Sequence, residues 1–170
     1  RRIMASVAEH LVHQLEGAGV RHIYGIVGDS LNPVVDAVRR SKKIRWIHVR
    51  HEETAAFAAA AEAEITGQLA VCAGSCGPGN LHLINGLYDA NRSHLPVLAI
   101  ASHIPTSQIG TGFFQETHPD RIFDECSVFS EMISSSEQVP RVTRSAIQQA
   151  LSNHGVAVLT LPGDIADMEV

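Results

Sequence analysis

Leu69-Ala70-Val71-Cys72-Ala73-Gly74 runs without a polar residue into the turn Ser75-Cys76-Gly77-Pro78-Gly79, after which Asn80 opens a helical pattern reaching about Asn91. A strand so uniformly apolar has both faces covered, as in a parallel sheet with helices on each side. The same alternation extends in both directions. Upstream, Ala5 to Ala18 carries Val7, Ala8, Leu11, Val12, Leu15 and Ala18 on one helical face, and His22 to Val27 is a β-branched and aromatic run stopped by Gly28. Ser30 is placed to cap a helix reaching about Arg40, with Pro33 tolerated in its first turn. Ile44 to Val49 reads as a strand and Glu52 to Thr66 as a helix. Downstream, strands are expected at Pro96 to Ala101, Ser127 to Met132 and Val156 to Leu161, with a helix at Val139 to Asn153. The expected fold class is α/β: a doubly wound, mainly parallel six-stranded sheet with helices on both faces, in one domain over residues 1–170.

The bulk numbers agree with one domain. The 170 residues are 45% apolar and 18% charged, enough for a sizeable core, which argues against disorder. A net charge of -5, with basic residues only in short pieces such as Arg39-Arg40 and Lys42-Lys43, leaves no electrostatic footprint for nucleic acid. Cys72, Cys76 and Cys126 are too few for a disulfide framework, so a reducing compartment, the cytoplasm, is expected. No apolar run approaches the roughly 18 to 20 residues needed to cross a bilayer, and no signal-peptide core follows Arg1-Arg2.

Ligands of doubly wound sheets sit beyond the carboxyl ends of the strands. Four segments occupy such places: Val27-Gly28-Asp29-Ser30, Arg50-His51-Glu52-Glu53, the turn from Gly74 to Asn80, and the long loop Ser102 to Pro119 with Phe113-Phe114-Gln115-Glu116. Loops of that length in a compact domain are commonly functional or disordered, and adjacent aromatics favour function. The glycine-rich turn lets backbone approach a flat or charged ligand, or serves only as a tight strand-to-helix connection; it matches neither the P-loop nor the dinucleotide fingerprint. Ala73-Gly74-Ser75-Cys76-Gly77 nearly matches a nucleophile elbow, with Asp124 and His154 in hydrolase order, but Ala73 replaces the first glycine. Among ten histidines, His10 with His13 and His48 with His51 are three apart, yet no cysteine or carboxylate completes a metal shell by spacing, so no metal site is expected. Glu52 and Glu53 at a helix start are accounted for by the macrodipole alone. The following Thr54-Ala55-Ala56-Phe57-Ala58-Ala59-Ala60-Ala61 is almost wholly small and apolar, so the helix is buried or packed on another subunit and its first carboxylate lies partly out of water. Desolvation would raise that acid's pKa and favour proton sharing.

Taken together, Tyr24-Gly25-Ile26-Val27-Gly28-Asp29-Ser30-Leu31-Asn32, Arg50-His51-Glu52-Glu53 with its alanine helix, and Cys72 to Asn80 resemble the thiamine-diphosphate enzyme superfamily across the whole chain. Leu81-His82-Leu83-Ile84-Asn85-Gly86-Leu87-Tyr88-Asp89 and Gly112 to Pro119 are most similar to its quinone-linked pyruvate oxidase group. The resemblance implies the pyrimidine-binding domain, in which Glu52 hydrogen-bonds the aminopyrimidine of thiamine diphosphate and promotes the imino form that acts as internal base. It further implies that Val27 and Gly28 line the pyrimidine pocket, and that Gly77, Pro78 and Gly79 pack backbone against the cofactor. His82 stands where acetolactate synthase relatives have asparagine, while Phe114 and Gln115 face substrate and flavin.

Pyruvate and a quinone are the implied reactants, acetate and carbon dioxide the products, and a homotetramer the implied assembly. Mg²⁺ and FAD are expected mostly on domains that this chain lacks, since Gly28-Asp29-Ser30 and Gly163-Asp164-Ile165 are the nearest approaches to the family's Gly-Asp-Gly metal motif. The isolated chain is therefore expected to be inactive. Membrane contact, at the inner face of the plasma membrane, would come from a C-terminal segment outside the chain. Acetolactate synthase, another 2-oxoacid decarboxylase, or a non-catalytic scaffold module are the alternatives.

Overall fold

Side chains along the central strands sort alternately into two cores. The computed structural model describes residues 5–170, so the Arg1-Arg2 start lies outside the described residues. Strands β1 (His22–Gly25), β2 (Arg45–His48), β3 (Ala70–Gly74), β4 (Val97–His103), β5 (Phe129–Met132) and β6 (Val156–Pro162) form a six-stranded sheet in the order β2-β1-β3-β4-β6-β5. Every neighbouring pair is parallel. Around it lie α1 (Val7–Gly17), α2 (Asn32–Ser41), α3 (Glu52–Thr66), α4 (Pro78–Arg92), α5 (Pro119–Ile122), α6 (Val139–Asn153) and α7 (Gly163–Ala166). Val71, Ala73, Leu98, Ile100, Ala157 and Leu159 join α1, α2 and α6 in one core. Ala70, Cys72, Val97, Ala99, Val156 and Val158 join α3 and α4 in the other. This is the doubly wound α/β architecture that uniformly apolar strands require.

Local chemistry explains the helix ends that position the site. Ser6 and Glu9 close a reciprocal capping box on α1, with Glu9 N–H donating to Ser6 Oγ at 3.1 Å and Ser6 N–H to Glu9 Oε2 at 2.8 Å. The alanine-rich face of α3 is accounted for within the chain: Ala55, Ala56, Ala59, Ala60 and Ala63 are buried. Helix α4 comes so close that a Cβ on Gly86 would lie 2.5 Å from Ala56 Cβ. Glu53 ties the same two helices together by accepting from the Asn85 amide.

Several boundaries move. Strand β1 stops at Gly25 rather than Val27, because the chain leaves both neighbours for a 3-10 turn at Asp29–Leu31. Helix α4 begins at Pro78, whose missing N–H costs nothing in a first turn. Strand β4 continues to His103 because β6 runs alongside, with Ser102 opposite Leu161 and His103 opposite Pro162. Ser30 is not a helix cap: Leu31 occupies that position on α2, without a side-chain cap, and the Ser30 hydroxyl has tertiary partners instead.

Candidate functional site

The strand order places β2 on one side of β1 and β3 on the other, so the chain reverses direction at the β1–β3 tips and opens a crevice there. Three predicted segments meet at this point. A Cβ on Gly28 would lie 2.5 Å from Ser75 Oγ, and one on Gly79 would lie 3.3 Å from Glu52 Oε1. Val27 stands half-exposed beside them and supplies an apolar surface.

Glu52 is the first residue of α3 and is 9% exposed. His51, in extended conformation, caps the helix by accepting the Glu53 N–H at Nδ1, 3.2 Å. The Nδ1 of His82, on α4, lies 3.1 Å from Glu52 Oε2. An ionised carboxylate can only accept, so His82 donates from Nδ1. Among the described residues Oε1 accepts no hydrogen bond, leaving one oxygen held and one available. The His51 and His82 rings stack with centroids 4.3 Å apart and planes 27° from parallel.

His51, Glu52 and His82 bring one potential ligand atom each within 4.8 Å of one another, a grouping that was not foreseen. Spacing could not show this, because His82 comes from a different helix. The arrangement still fits metal poorly: imidazole lone pairs lie in the ring plane, and two stacked rings do not converge on one ion at the ~2.0 Å of a metal–nitrogen bond. A hydrogen-bonded carboxylate with one open oxygen, a glycine backbone wall and an apolar flank fits a flat heteroaromatic ring that shares a proton. Asp164, in the second Gly-Asp pair, is committed to the Thr106 N–H (3.1 Å) and hydroxyl.

Phe114 and Gln115 lie on the other side of the turn. Cys76 Sγ meets Gln115 Oε1 at 3.3 Å, and a Cβ on Gly77 would be 2.9 Å from Gln115 O. Gly77 also has φ +67°, so glycine is required there twice over. Phe114 is 83% exposed and touches the Phe113 ring, with centroids 4.9 Å apart. Both residues line a cavity of about 690 Å³ with Asp29, Ser30, Cys76 and His103, a size suited to a small ligand. His103 is 2% exposed, its Nδ1 has no partner among the described residues, and burial pushes its pKa down. The structure brings Gly28, Gly79, Glu52 and His82 together, with Val27 and Pro78 their chain neighbours, while Gly77 packs against Gln115, which lines the separate cavity with Phe114.

Sequence reasoning missed His51 as the ring stacked on His82, Ser30 and Ser102 as partners of the turn, and Glu116 as organiser of the loop. Glu116 accepts from the Gly110 and Gly112 N–H groups, and these amides, Gly110 first, hold its carboxyl below the usual range. Two glycines shortly before an acid were its only local signal. The hydrolase reading fails on geometry. Ser75 Oγ bonds Ser30 Oγ at 2.9 Å, and His154 caps the end of α6 just before β6 begins, at the end of the strands opposite the site.

The comparisons with known proteins agree with this geometry. The model of the family "Thiamine pyrophosphate enzyme, N-terminal TPP binding domain" matches residues 5–123. An uncharacterized 42.6 kDa protein of Pseudomonas amyloderamosa is 62% identical, over 94% of this chain and 40% of its own length. Pyruvate oxidase of Lactiplantibacillus plantarum is 41% identical over 96% of this chain and 27% of its own length. Acetolactate synthase of Mycobacterium bovis is 36% identical over 93% and 26%. The chain therefore spans between about a quarter and two fifths of these relatives. With a poorly solvated carboxylate, a glycine wall and an apolar flank at the switch point of a parallel sheet, the chain belongs to the thiamine pyrophosphate enzyme family, as its N-terminal TPP-binding domain.

Proposed function

We propose that the chain is the aminopyrimidine-holding domain of a thiamine-diphosphate- and flavin-dependent oxidoreductase that converts pyruvate, water and a quinone to acetate, carbon dioxide and the quinol. One observation carries the reading: Glu52 is buried at the crevice, with Oε2 held by His82 at 3.1 Å and Oε1 left open. When bound, thiamine diphosphate supplies an acidic thiazolium carbon and an electron sink for decarboxylation. Glu52 shares a proton with the pyrimidine ring nitrogen through its open oxygen, while His82 fixes the carboxylate's orientation. Val27 and the Gly77-Pro78-Gly79 backbone exclude water from that contact, and Phe114 and Gln115 present an apolar wall and an amide to the 2-oxoacid and flavin. His82, in place of the asparagine of acetolactate synthase relatives, favours the oxidase, as does 41% identity to a pyruvate oxidase against 36% to an acetolactate synthase.

Mg²⁺ and FAD belong to the same proposal, held mostly by other parts of a longer protein that assembles as a homotetramer in the cytoplasm, peripheral to the membrane. In that full-length protein, Glu52→Gln is expected to lower kcat with pyruvate by roughly 10² to 10⁴. Normal turnover in that variant sinks the assignment of Glu52. Acetolactate as product, with Glu52 still essential, would move the enzyme to the synthase class.

A further inference from the structure

We propose that Ser30 is a positioning residue whose hydroxyl holds the Ser75–Gly79 turn in place, and that the turn in turn sets Glu52 on one side and Gln115 on the other. The functional consequence rests on the reading above; the structural part does not. Ser30 Oγ lies 2.9 Å from Ser75 Oγ and 2.6 Å from Ser102 Oγ, and it accepts the Cys76 N–H at 3.1 Å. A hydroxyl has one proton and two acceptor positions. Either hydroxyl of each serine pair can donate: Ser30 gives its proton to Ser102 when Ser102 donates to Gly74 O at 3.3 Å, and to Ser75 when Ser102 donates to Ser30. In both cases the Cys76 N–H and one serine O–H fill the two Ser30 acceptor positions, and the other serine takes its proton. No bonding capacity is left over, and alanine at this position would strand a donor or acceptor on every partner.

The three serines come from separate parts of the sheet: Ser30 from the exit of β1, Ser75 from the exit of β3, and the fully buried Ser102 from within β4. Ser102 O also accepts from Asn80 Nδ2 at 2.6 Å, which adds the first turn of α4. The turn fixed in this way reaches both working ends: Cys76 meets Gln115, and Gly79 leaves little room for a side chain beside Glu52 Oε1. Neither end contacts Ser30 directly in a hydrogen bond, so Ser30 acts through the turn.

The test uses the full-length protein with Ser30→Ala, the rescuing Ser30→Thr, and Thr66→Ala as a control. Thr66 loses a comparable bond, to Glu62 O at 2.6 Å, at the far end of α3. In the cofactor-free protein, Ser30→Ala is expected to raise amide exchange at residue 76 and the maleimide rate of Cys76 about tenfold, the value of one lost hydrogen bond. Cys72 and Cys126 stay inert, and Thr66→Ala stays at the wild-type rate. With Mg²⁺ present, the thiamine diphosphate dissociation constant rises about tenfold in Ser30→Ala only, and Ser30→Thr restores it. Should Ser30→Ala fail to fold, Ser75→Ala, which removes one partner of Ser30 and leaves its oxygen to accept the Cys76 N–H, gives the same changes at about threefold. Exchange and thiol rates within twofold of wild type overturn the proposal, as does unchanged cofactor affinity when those rates rise. Wild-type protein that does not bind thiamine diphosphate overturns the preceding reading instead, while the thiol and exchange rates still decide the place of Ser30.

Discussion

The two ends of the candidate site are held by different means. Glu52 begins a fifteen-residue helix packed on α4, and it is buried with a defined hydrogen-bond partner. Phe114, by contrast, stands 83% exposed on a loop held by the polar contacts of Glu116, Asp164 and Cys76. Apolar helix packing carries the backbone of the first end, and a few hydrogen bonds carry that of the second. A proton-sharing carboxylate needs a constant, poorly solvated geometry, and helix packing supplies it. A wall facing a substrate or another domain needs reach, and loops supply that.

The comparison breaks most severely if the helix pair is disturbed. Gly86→Ala puts a methyl where Ala56 Cβ already lies 2.5 Å away, so α3 or α4 must shift. A loss of about 1 to 3 kcal/mol is expected in urea unfolding, the range for overpacking. A midpoint unchanged from wild type would show that the two helices do not define each other's position.

Phe114→Ala should do the opposite. With the ring mostly in solvent, unfolding free energy should stay within about 0.5 kcal/mol of wild type, while turnover of pyruvate by the full-length protein falls. A stability loss well above that range would mean the loop is part of the core after all.

Acid separates the ends more gently. Partial burial pushes Asp164 up, but the hydroxyl and amide of Thr106 outweigh it, and its carboxyl sits below the ordinary 3.8. Glu116 sits below 4.5 because of the Gly110 and Gly112 amides. Both folded values are depressed, so the stabilisation is complete above the ordinary values and is lost as pH falls through the folded ones. Protection of the amides over residues 106–116 should therefore fall as the pH drops below about 4.5, before that of α3 and α4 does. Equal protection of loop and helices through that window would remove these carboxylates as the loop's fastenings.

Much of this was legible in the chain. Apolar runs closed by glycine marked the strands, because burial on both faces admits little else. Glu52 was legible as a helix-start acid, and His82 only through the resemblance of its motif; their contact joins residues 30 apart in sequence and required the folded helices. Ser30 misled for a clear reason. A serine shortly before a helix is the local signature of a cap, yet Ser75 and Cys76 from the turn after β3 and Ser102 from β4 offered its hydroxyl three distant partners. The cluster of His51, Glu52 and His82 was hidden similarly, since ligand spacing detects neighbours on one element and not across two.

The order of strands and helices, the two-sided burial of the sheet and the residue types at the strand tips were determined by the sequence alone, because hydrophobic periodicity and turn chemistry act over a few residues. Which oxygen of Glu52 is held and which is free, which histidine holds it, and what fixes the glycine turn were decided only by tertiary structure. Hydrogen-bond partners are chosen by three-dimensional proximity, and a parallel sheet brings together at its tips segments that lie far apart along the chain.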